Sequence, residues 1–567
     1  MSGKAASTAK LRLVLCWHMH QPEYRDLQTG EFKLPWTYLH VIKDYVEMAA
    51  HLEAVPKAKA VVNFAPILLE QIEQYAQQVN DYFHEQKPIN DSLLAALVAT
   101  SIPEDAEHTL KLIKNCLRAN RDRQINRYPA FQKLADMADW LDQHFDALAY
   151  INAQYVHDIV VWYHLAWMGE TVKLSDTRVQ HLIAKGTAFT LSDRLELLEI
   201  IGELLANVVC RYQVLAKKGQ VELSVTPYAH PIMPLLLDIK SAHQAMPDAP
   251  LPELKNYPAG EERVLWQLEK GVQTFKRFFG FKPAGCWPSE GSISEGTLKV
   301  LDQFGFTWTA SGGAVLHNSL KQSGLDGQVT IHRGYQLKGT QLACFFRDDG
   351  LSDLIGFEYS KWHADDAVSD LIGHLEVIAA DNADDKVVSI IMDGENAWEY
   401  FPENGYHFLS ALYQRLSAHP MIELTTFSEC LQDKAPLQTL NRIVAGSWVY
   451  GTFSTWIGDA DKNRAWDMLG DVKKEFDQAM ADKRLTDTQI TDAEHQLAIC
   501  EGSDWFWWFG DYNPGEAVSN FEKQYRLNLA NLYRLLGKQP PAYLALSFTQ
   551  GAGAPAMGGT MRPGIEL

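Results

Sequence analysis

KVVSIIMDGENAWEYF (residues 386–401) holds an apolar run, Val387–Met392, that ends on Asp393 and opens into a turn at Gly394. Continuous apolar character marks a strand buried on both faces, as in a parallel sheet covered by helices. A carboxylate at the end of such a strand has few structural excuses, because burying its charge is costly unless it is paired or used. Similar runs recur along the chain: Leu11–Trp17, Ala60–Phe64, Val221–Thr226, Ala284–Trp287, Thr307–Ala310, Leu342–Phe346 and Ile422–Thr426. Helical stretches separate them. Strands alternating with helices imply a parallel sheet, and this many imply a closed or nearly closed α/β barrel.

The remaining segments are helical in pattern. Residues 85–218 hold no convincing strand and show helical spacing, as in Leu195, Leu197, Leu198, Ile201, Leu204 and Leu205. They are expected to form a helical insertion beside the barrel mouth. Residues 1–430 then make the barrel with its insertion, and 431–549 a C-terminal helical domain that includes Asn463–Met480 and Ser519–Leu536. The Gly/Pro-rich stretch 550–567 is expected to be a flexible tail.

Composition narrows the chemistry. The 567 residues carry a formal net charge of −20, which disfavours nucleic acid and favours a neutral substrate. Sixteen Trp offer flat apolar faces of the kind on which sugars stack. The seven cysteines are widely spaced and form no CxxC pair, which speaks for reduced thiols in a cytoplasm and against a cysteine-bound zinc. No apolar stretch is long enough for a membrane span, and no signal-peptide pattern follows MSGKAASTAK, so a soluble cytoplasmic protein is expected.

Five segments put unusual polar residues at strand ends, where barrel enzymes carry their catalytic groups. In CWHMHQPEY (16–24), His18 and His20 are two apart on a strand and share a face. That spacing also suits zinc, but no further ligand stands out. In GQVELSVTPYAHPI (219–232), Glu222 lies inside a strand and His230 beyond it; a salt-bridged structural glutamate is the competing reading. In PAGCWPSEGSISEGTL (283–298), Pro288 stops regular pairing after Trp287, so Glu290 is presented from the strand end. Glu295 has an ordinary explanation in the first turn of a helix. Asp393 is the fourth, with Glu395 and Glu399 close by. EGSDWFWWFGDYN (501–513) sets Asp504 beside Trp505, Trp507 and Trp508, and AGSWVYGTFSTWIGD (445–459) adds Trp448 and Trp456 to an aromatic wall. Two acids at two strand ends suit glycoside cleavage, in which one attacks the anomeric carbon and the other protonates the leaving oxygen.

In this order the five segments resemble the signature regions of the family 57 glycoside hydrolases. His20-Gln21-Pro22, GQVELS, WPSE, MDGENAW and GSDWFWW carry the resemblance across residues 11–540, and FRDDGLSDLIGFEY (346–359) is most similar to the amylopullulanase-like branch. It implies an incomplete (β/α)7 barrel followed by a helical bundle. It also implies a retaining enzyme of α-1,4- and sometimes α-1,6-glucosidic bonds, with Glu290 as nucleophile, Asp393 as general acid/base and no cofactor or metal. By resemblance His18, His20, Glu222, Asp504 and Trp505 become substrate contacts, with Arg347 and Asp348 as further candidates; Trp287 and Trp448 are expected to join them. Hydrolysis, 4-α-glucanotransfer and branching all occur among such relatives, on glycogen, starch or malto-oligosaccharides. Two other readings stand beside this one: a metal-dependent deacetylase or mannosidase using His18 and His20, and a non-catalytic glucan-binding protein.

Overall fold

The computed structural model describes residues 10–553, apart from 104, 326–329, 381–385 and 435. Each expected strand forms: β1 (Leu11–Met19), β2 (Ala60–Phe64), β3 (Val221–Val225), β4 (Gly285–Cys286), β5 (Trp308–Ser311), β7 (Ala343–Phe346), β8 (Val387–Asp393) and β9 (Ile422–Leu424). Two short strands that the apolar pattern does not announce join them, β6 (Gly334–Leu337) and β10 (Leu437–Leu440). Seven strands run parallel around a curl in the order β7-β5-β4-β3-β2-β1-β8. A parallel bridge between Arg347 and Ser389 spans the seam where β7 and β8 meet, and Asp348 N donates to Ser389 O there at 2.8 Å. The result is an incomplete (β/α)7 barrel. Outside it, β6 runs antiparallel to β7, β10 pairs with β6, and β9 lies beside the start of β1.

Side-chain parity sorts the strands into two cores. Leu13, Leu15, Trp17 and Met19 face the surrounding helices, whereas Val14 and Cys16 face the barrel interior. On β8 the outer set is Val388, Ile390 and Met392, and the inner set includes Val387 and Ile391. Because the period is two, His18 and Asp393 inherit the inward positions one layer above Cys16 and Ile391. The β1–β8 register sets Cys16 opposite Ile391 and His18 opposite Asp393. Polar residues therefore stand at the C-terminal end of the barrel, above an apolar plug. Phe427, from the helix Phe427–Gln432, closes the opposite end against Trp308 and Phe345 at ring separations of 4.5 and 4.6 Å.

Glu222 belongs to that lower layer. It pairs in register with Val61, which itself faces Cys16. Its carboxylate accepts from Trp308 Nε1 at 2.6 Å and from Ser428 N at 3.0 Å and Oγ at 2.5 Å. The expectation of a substrate contact gives way to the competing reading, a glutamate satisfied by the plug. Parity points it inward, but its place near the strand's start puts it at the wrong end.

Between β2 and β3 the chain is helical throughout, from Pro66–Glu85 to the 27-residue Leu191–Lys217, as expected for the insertion. Leu191–Lys217 opens on a capping box, with the Thr190 hydroxyl and the Asp193 carboxylate satisfying each other's backbone N–H. The C-terminal helices are Ala460–Asp482, Asp487–Cys500 and Gly515–Leu535. The sheet itself reaches Leu440, and Gly446 pairs with Ile293 next to the barrel mouth, so the helical part begins near 460 rather than 431. Gln438 and Thr439 are not buried, and β10 lacks the apolar signature that would have marked it. The expected tail lies mostly outside the described residues, but its first part is pinned by Ala552 N to Asp511 O and Gly553 N to Asn513 O, both at 3.1 Å.

Replacing Glu222 by Ala leaves the Trp308 and Ser428 donors unpaired, a cost of about 1–3 kcal/mol. We expect a lower melting temperature, with kcat/KM of the folded enzyme within roughly twofold of the parent, because the group is remote from the cleft.

Candidate active site

A cleft of about 510 Å³ opens at the C-terminal end of the barrel strands. It is lined by His18, His20, Glu290, Asp393, Trp448 and Asp504, all anticipated from the sequence. Its outer walls come from two separate parts of the chain. The N-terminal half and the insertion supply Trp36, Asn120 and Trp167, and the C-terminal helices supply Trp507, Trp508 and Phe521. Arg118 and Glu516 form an ion pair between those two walls.

Glu290 sits where β4 gives out. Pro288 is extended, and Glu290 adopts φ 58°, ψ 24°, the left-handed region that costs a non-glycine residue energy. This conformation turns the side chain off the strand line into the cleft. Trp448 fixes it twice: its backbone N donates to Glu290 O and its indole Nε1 to Glu290 Oε2, each at 3.0 Å. The Ser503 hydroxyl meets Oε1 at 3.1 Å. Burial, with the charges of Asp504 and Asp393 nearby, pushes the Glu290 carboxyl up to about 8. Asp393 closes β8, with Asn396 Nδ2 donating to Oδ2 at 2.7 Å. Burial raises it to about 6; the Asn396 hydrogen bond, His20 and Arg347 restrain the rise.

A chain of hydrogen bonds links the barrel interior to Glu290. His18 Nδ1 meets Asn63 Oδ1 at 2.6 Å, His18 Nε2 meets His230 Nε2 at 3.1 Å, and His230 Nδ1 meets Ser503 Oγ at 2.8 Å. Burial holds His18 down to about 3 and His230 well below its usual range, so both rings are neutral and each carries one proton. With the Asn63 amide assigned this way, the protons run His18 to Asn63, His230 to His18 and Ser503 to His230. The Ser503–Glu290 contact then needs a proton on Glu290; an ionised Glu290 takes the Ser503 hydrogen, and the chain reverses with the Asn63 amide turned over so that its Nδ2 donates to His18. His20 Nε2 instead meets Asp504 at 2.8 and 3.0 Å.

His20, His230 and Asp504 bring three ligand-type atoms within 4.8 Å of one another, the one such group among the described residues. Their geometry does not suit a cation. The His20 and His230 rings are stacked 3.8 Å apart at 17°, so their in-plane lone pairs run nearly parallel and do not converge.

Three anticipated contacts stand elsewhere. Glu222 is at the far end of the barrel. Trp287 is fully buried beneath the cleft floor, its ring 5.3 Å from that of Trp448. Trp505 points away and donates its Nε1 to Ile499 O at 2.7 Å. The short helix Ser503–Trp508 explains the exchange: Asp504, Trp507 and Trp508 share one face at i, i+3 and i+4, while Trp505 lies off it. Arg347 does line the cleft, held by Asp349, Asp353 and Ile391 O. Asp348 instead pairs with His332 and caps the following turn.

Sequence reasoning passed over Asn63 and Ser503 and noted Glu395 only as a neighbour of Asp393. Ser503 had a signal, since it precedes Asp504. Asn63 had one too, as a polar residue inside the Ala60–Phe64 run. Glu395 is buried, and its Oε1 accepts from His20 N at 3.1 Å and Gln21 Nε2 at 3.2 Å, tying the end of β1 to the turn after Asp393.

A parallel barrel whose strand ends carry two buried carboxyls, inside an aromatic cleft, offers the groups that glycoside cleavage uses. The sequence model described as "Glycosyl hydrolase family 57" matches residues 14–443, and the chain belongs to that family. No curated protein sequence matches it. Among solved structures it is similar to the GH57-type branching enzyme of Pyrococcus horikoshii, at 16% identity and TM-score 0.57, over 94% of this chain and 93% of that one. The α-amylase AmyC of Thermotoga maritima follows at 12% and 0.55, over 93% of each chain. The 4-α-glucanotransferase of Thermococcus litoralis matches at 15% and 0.52, over 93% of this chain and 60% of that one. At such identities the likeness shows the fold.

The raised Glu290 carboxyl has a consequence for stability. Its folded-state value lies above the ordinary one, so its contribution is full below about 4.5 and is lost as pH rises through about 8. Glu290→Gln is therefore expected to raise the melting temperature by roughly 1–3 °C at pH 8.5 and to leave it unchanged at pH 4. A gain of equal size at both pH values would refute the assignment of that burial cost.

Proposed function

We propose that the chain is a retaining enzyme of α-glucosidic bonds in glycogen, starch or malto-oligosaccharides, with Glu290 as nucleophile and Asp393 as general acid/base. The observation that carries this is the posture of Glu290. A glutamate forced into a strained turn, buried, and held by both Trp448 and Ser503 is pre-aimed at one point in a cleft that Asp393 also lines. A Glu290 carboxylate oxygen attacks the anomeric carbon while Asp393 passes its proton to the departing glycosidic oxygen. The glycosyl group is then bonded to Glu290. In the second step Asp393 takes a proton from the incoming water or sugar hydroxyl, whose oxygen displaces Glu290.

The surroundings support these roles. Neutral His18 and His230 spend their ring nitrogens on Asn63, each other and Ser503, and so hold Ser503 against Glu290 without adding charge. The aromatic walls give stacking faces, and no described helix is long and apolar enough to cross a membrane. All seven cysteines are free and all but Cys210 are buried, which fits a reducing compartment and an internal glucan store.

Transfer to water or to a sugar hydroxyl is decided by products from maltoheptaose. Shorter sugars with rising reducing ends mean hydrolysis; longer and shorter chains with constant reducing ends mean 4-α-glucanotransfer. Glu290→Gln and Asp393→Asn should each lower kcat by at least about 10³-fold while the fold survives. Full activity in either variant would remove the assignment. The working form holds one proton, on Asp393, whereas burial makes Glu290 the tighter proton site, so the competent arrangement is a minority of the one-proton form; kcat/KM should still be bell-shaped with its maximum between about 6 and about 8. A profile still rising at pH 10 would contradict it.

A further inference from the structure

The insertion presents an aromatic face that the cleft does not use. On the helix Pro129–Gln143 and the turn after it, Lys133, Met137, Trp140 and His144 follow one another at helical spacing on one side. Trp140 is 50% exposed, Phe145 53% and Tyr150 90%. Trp140 and His144 stack at 4.3 Å and 15°, and His144 Nδ1 bonds Trp140 O at 2.8 Å, so the two rings form one fixed plate. The buried side of the same helix carries Phe131, Ala135, Ala138 and Leu141. The exposed rings are therefore not needed to seat the helix.

The charge around this face restricts what can cover it. Asp136, Asp139, Asp142 and Asp146 lie within the stretch; Arg121 pairs with the first two and Lys114 with Asp142, so with Lys133 the face is close to neutral, in a chain of net charge −20. A nucleic acid or an anionic lipid surface finds no excess of cations here, and a second copy brings another chain of net charge −20. An uncharged polyhydroxylated chain meets neither obstacle: its apolar ring faces stack on the aromatics, and its hydroxyls donate to the carboxylates. The face is also tied to the cleft. Arg118 and Asn120 line the cleft lip, and the adjacent Arg121 pairs with Asp136 and with Asp139 (3.1 Å) on the aromatic helix.

We propose that the stacked Trp140 and His144, together with the exposed Phe145 and Tyr150 that follow them in the chain, make a second, non-catalytic binding site for α-glucan chains. It holds polymeric substrate beside the cleft lip. Short oligosaccharides, which cannot span both places, gain nothing from it; a branched polymer gains through local concentration. The ligand class rests on the function proposed above.

The test is Trp140→Ala/Phe145→Ala/Tyr150→Ala and the three single variants, compared with the parent in native gels containing glycogen and in kinetics on glycogen and maltoheptaose. We expect the triple variant to lose retardation by glycogen and to show a KM for glycogen raised roughly tenfold or more, each lost stacking contact weakening binding severalfold. Its maltoheptaose kinetics should stay unchanged, which also reports an intact fold. Unchanged retardation and glycogen KM would overturn the site. So would an equal loss on maltoheptaose, or a change from dimer to monomer by light scattering, which would make the face a contact between copies. The function reading fails separately: if the parent does not turn over maltoheptaose, retardation of Glu290→Gln by glycogen still tests the aromatic face.

Discussion

The cleft depends on one constraint, the two-residue alternation of side chains along parallel strands held in fixed register. Once Cys16 and Ile391 face the barrel interior, His18 and Asp393 must do so one layer higher, opposite each other. Slipping β8 by a single residue would turn Asp393 into the outer apolar core and bring Met392 inward. The hydrophobic pattern that buries both faces of each strand therefore also aims the Asp393 carboxyl. Burial then does the chemical tuning, because the same low-polarity surroundings raise Asp393 and Glu290 and keep His18 and His230 neutral.

The site is composite. Glu290 comes from β4, but its carboxylate is held by Trp448 from the loop after β10 and by Ser503 from the C-terminal helices. His20 of β1 pairs with Asp504. A buried network fixes that junction: Arg263 makes a two-point bond to Glu501, which also accepts from Tyr257 and Gln267. Ser503 N donates to His230 O at 2.9 Å immediately beyond it. The helical region thus belongs to the cleft, since Glu290 would lose one of its two side-chain partners without it. Gly291, also at positive φ, extends the strained turn, and a Cβ there would lie 2.8 Å from Trp287. That contact explains how a ring absent from the cleft wall still shapes it.

The face of the insertion and the cleft illustrate two uses of aromatic residues. In the cleft, Trp448 and Trp508 are clamped: one bonds Glu290 and the other stacks on Phe521 at 4.5 Å. On the insertion, Trp140 and Tyr150 stand in solvent. Clamped rings select geometry, and exposed ones supply area.

By itself the sequence determined the strands of the barrel, the helical nature of 85–218 and the two carboxyls at strand ends, because each is written in local pattern: apolar runs, helical spacing, a proline before Glu290 and a glycine after Asp393. It also named His18, His20 and Asp504 through motif resemblance and Trp448 as part of an aromatic wall. Tertiary structure decided what local pattern does not encode. Glu222 looked functional because a carboxylate in an apolar strand demands a partner, and the partner proved to be Trp308 and Ser428 on elements far along the chain. Trp505 and Trp508 are equivalent in composition, and only the docking of a six-residue helix chose which one faces the cleft. Asn63, His230 and Ser503 became one hydrogen-bonded chain by the meeting of three distant segments. Periodicity along a strand fixes which side a residue faces, whereas which end of the barrel it occupies, and what it meets there, follows from register and packing across the whole molecule.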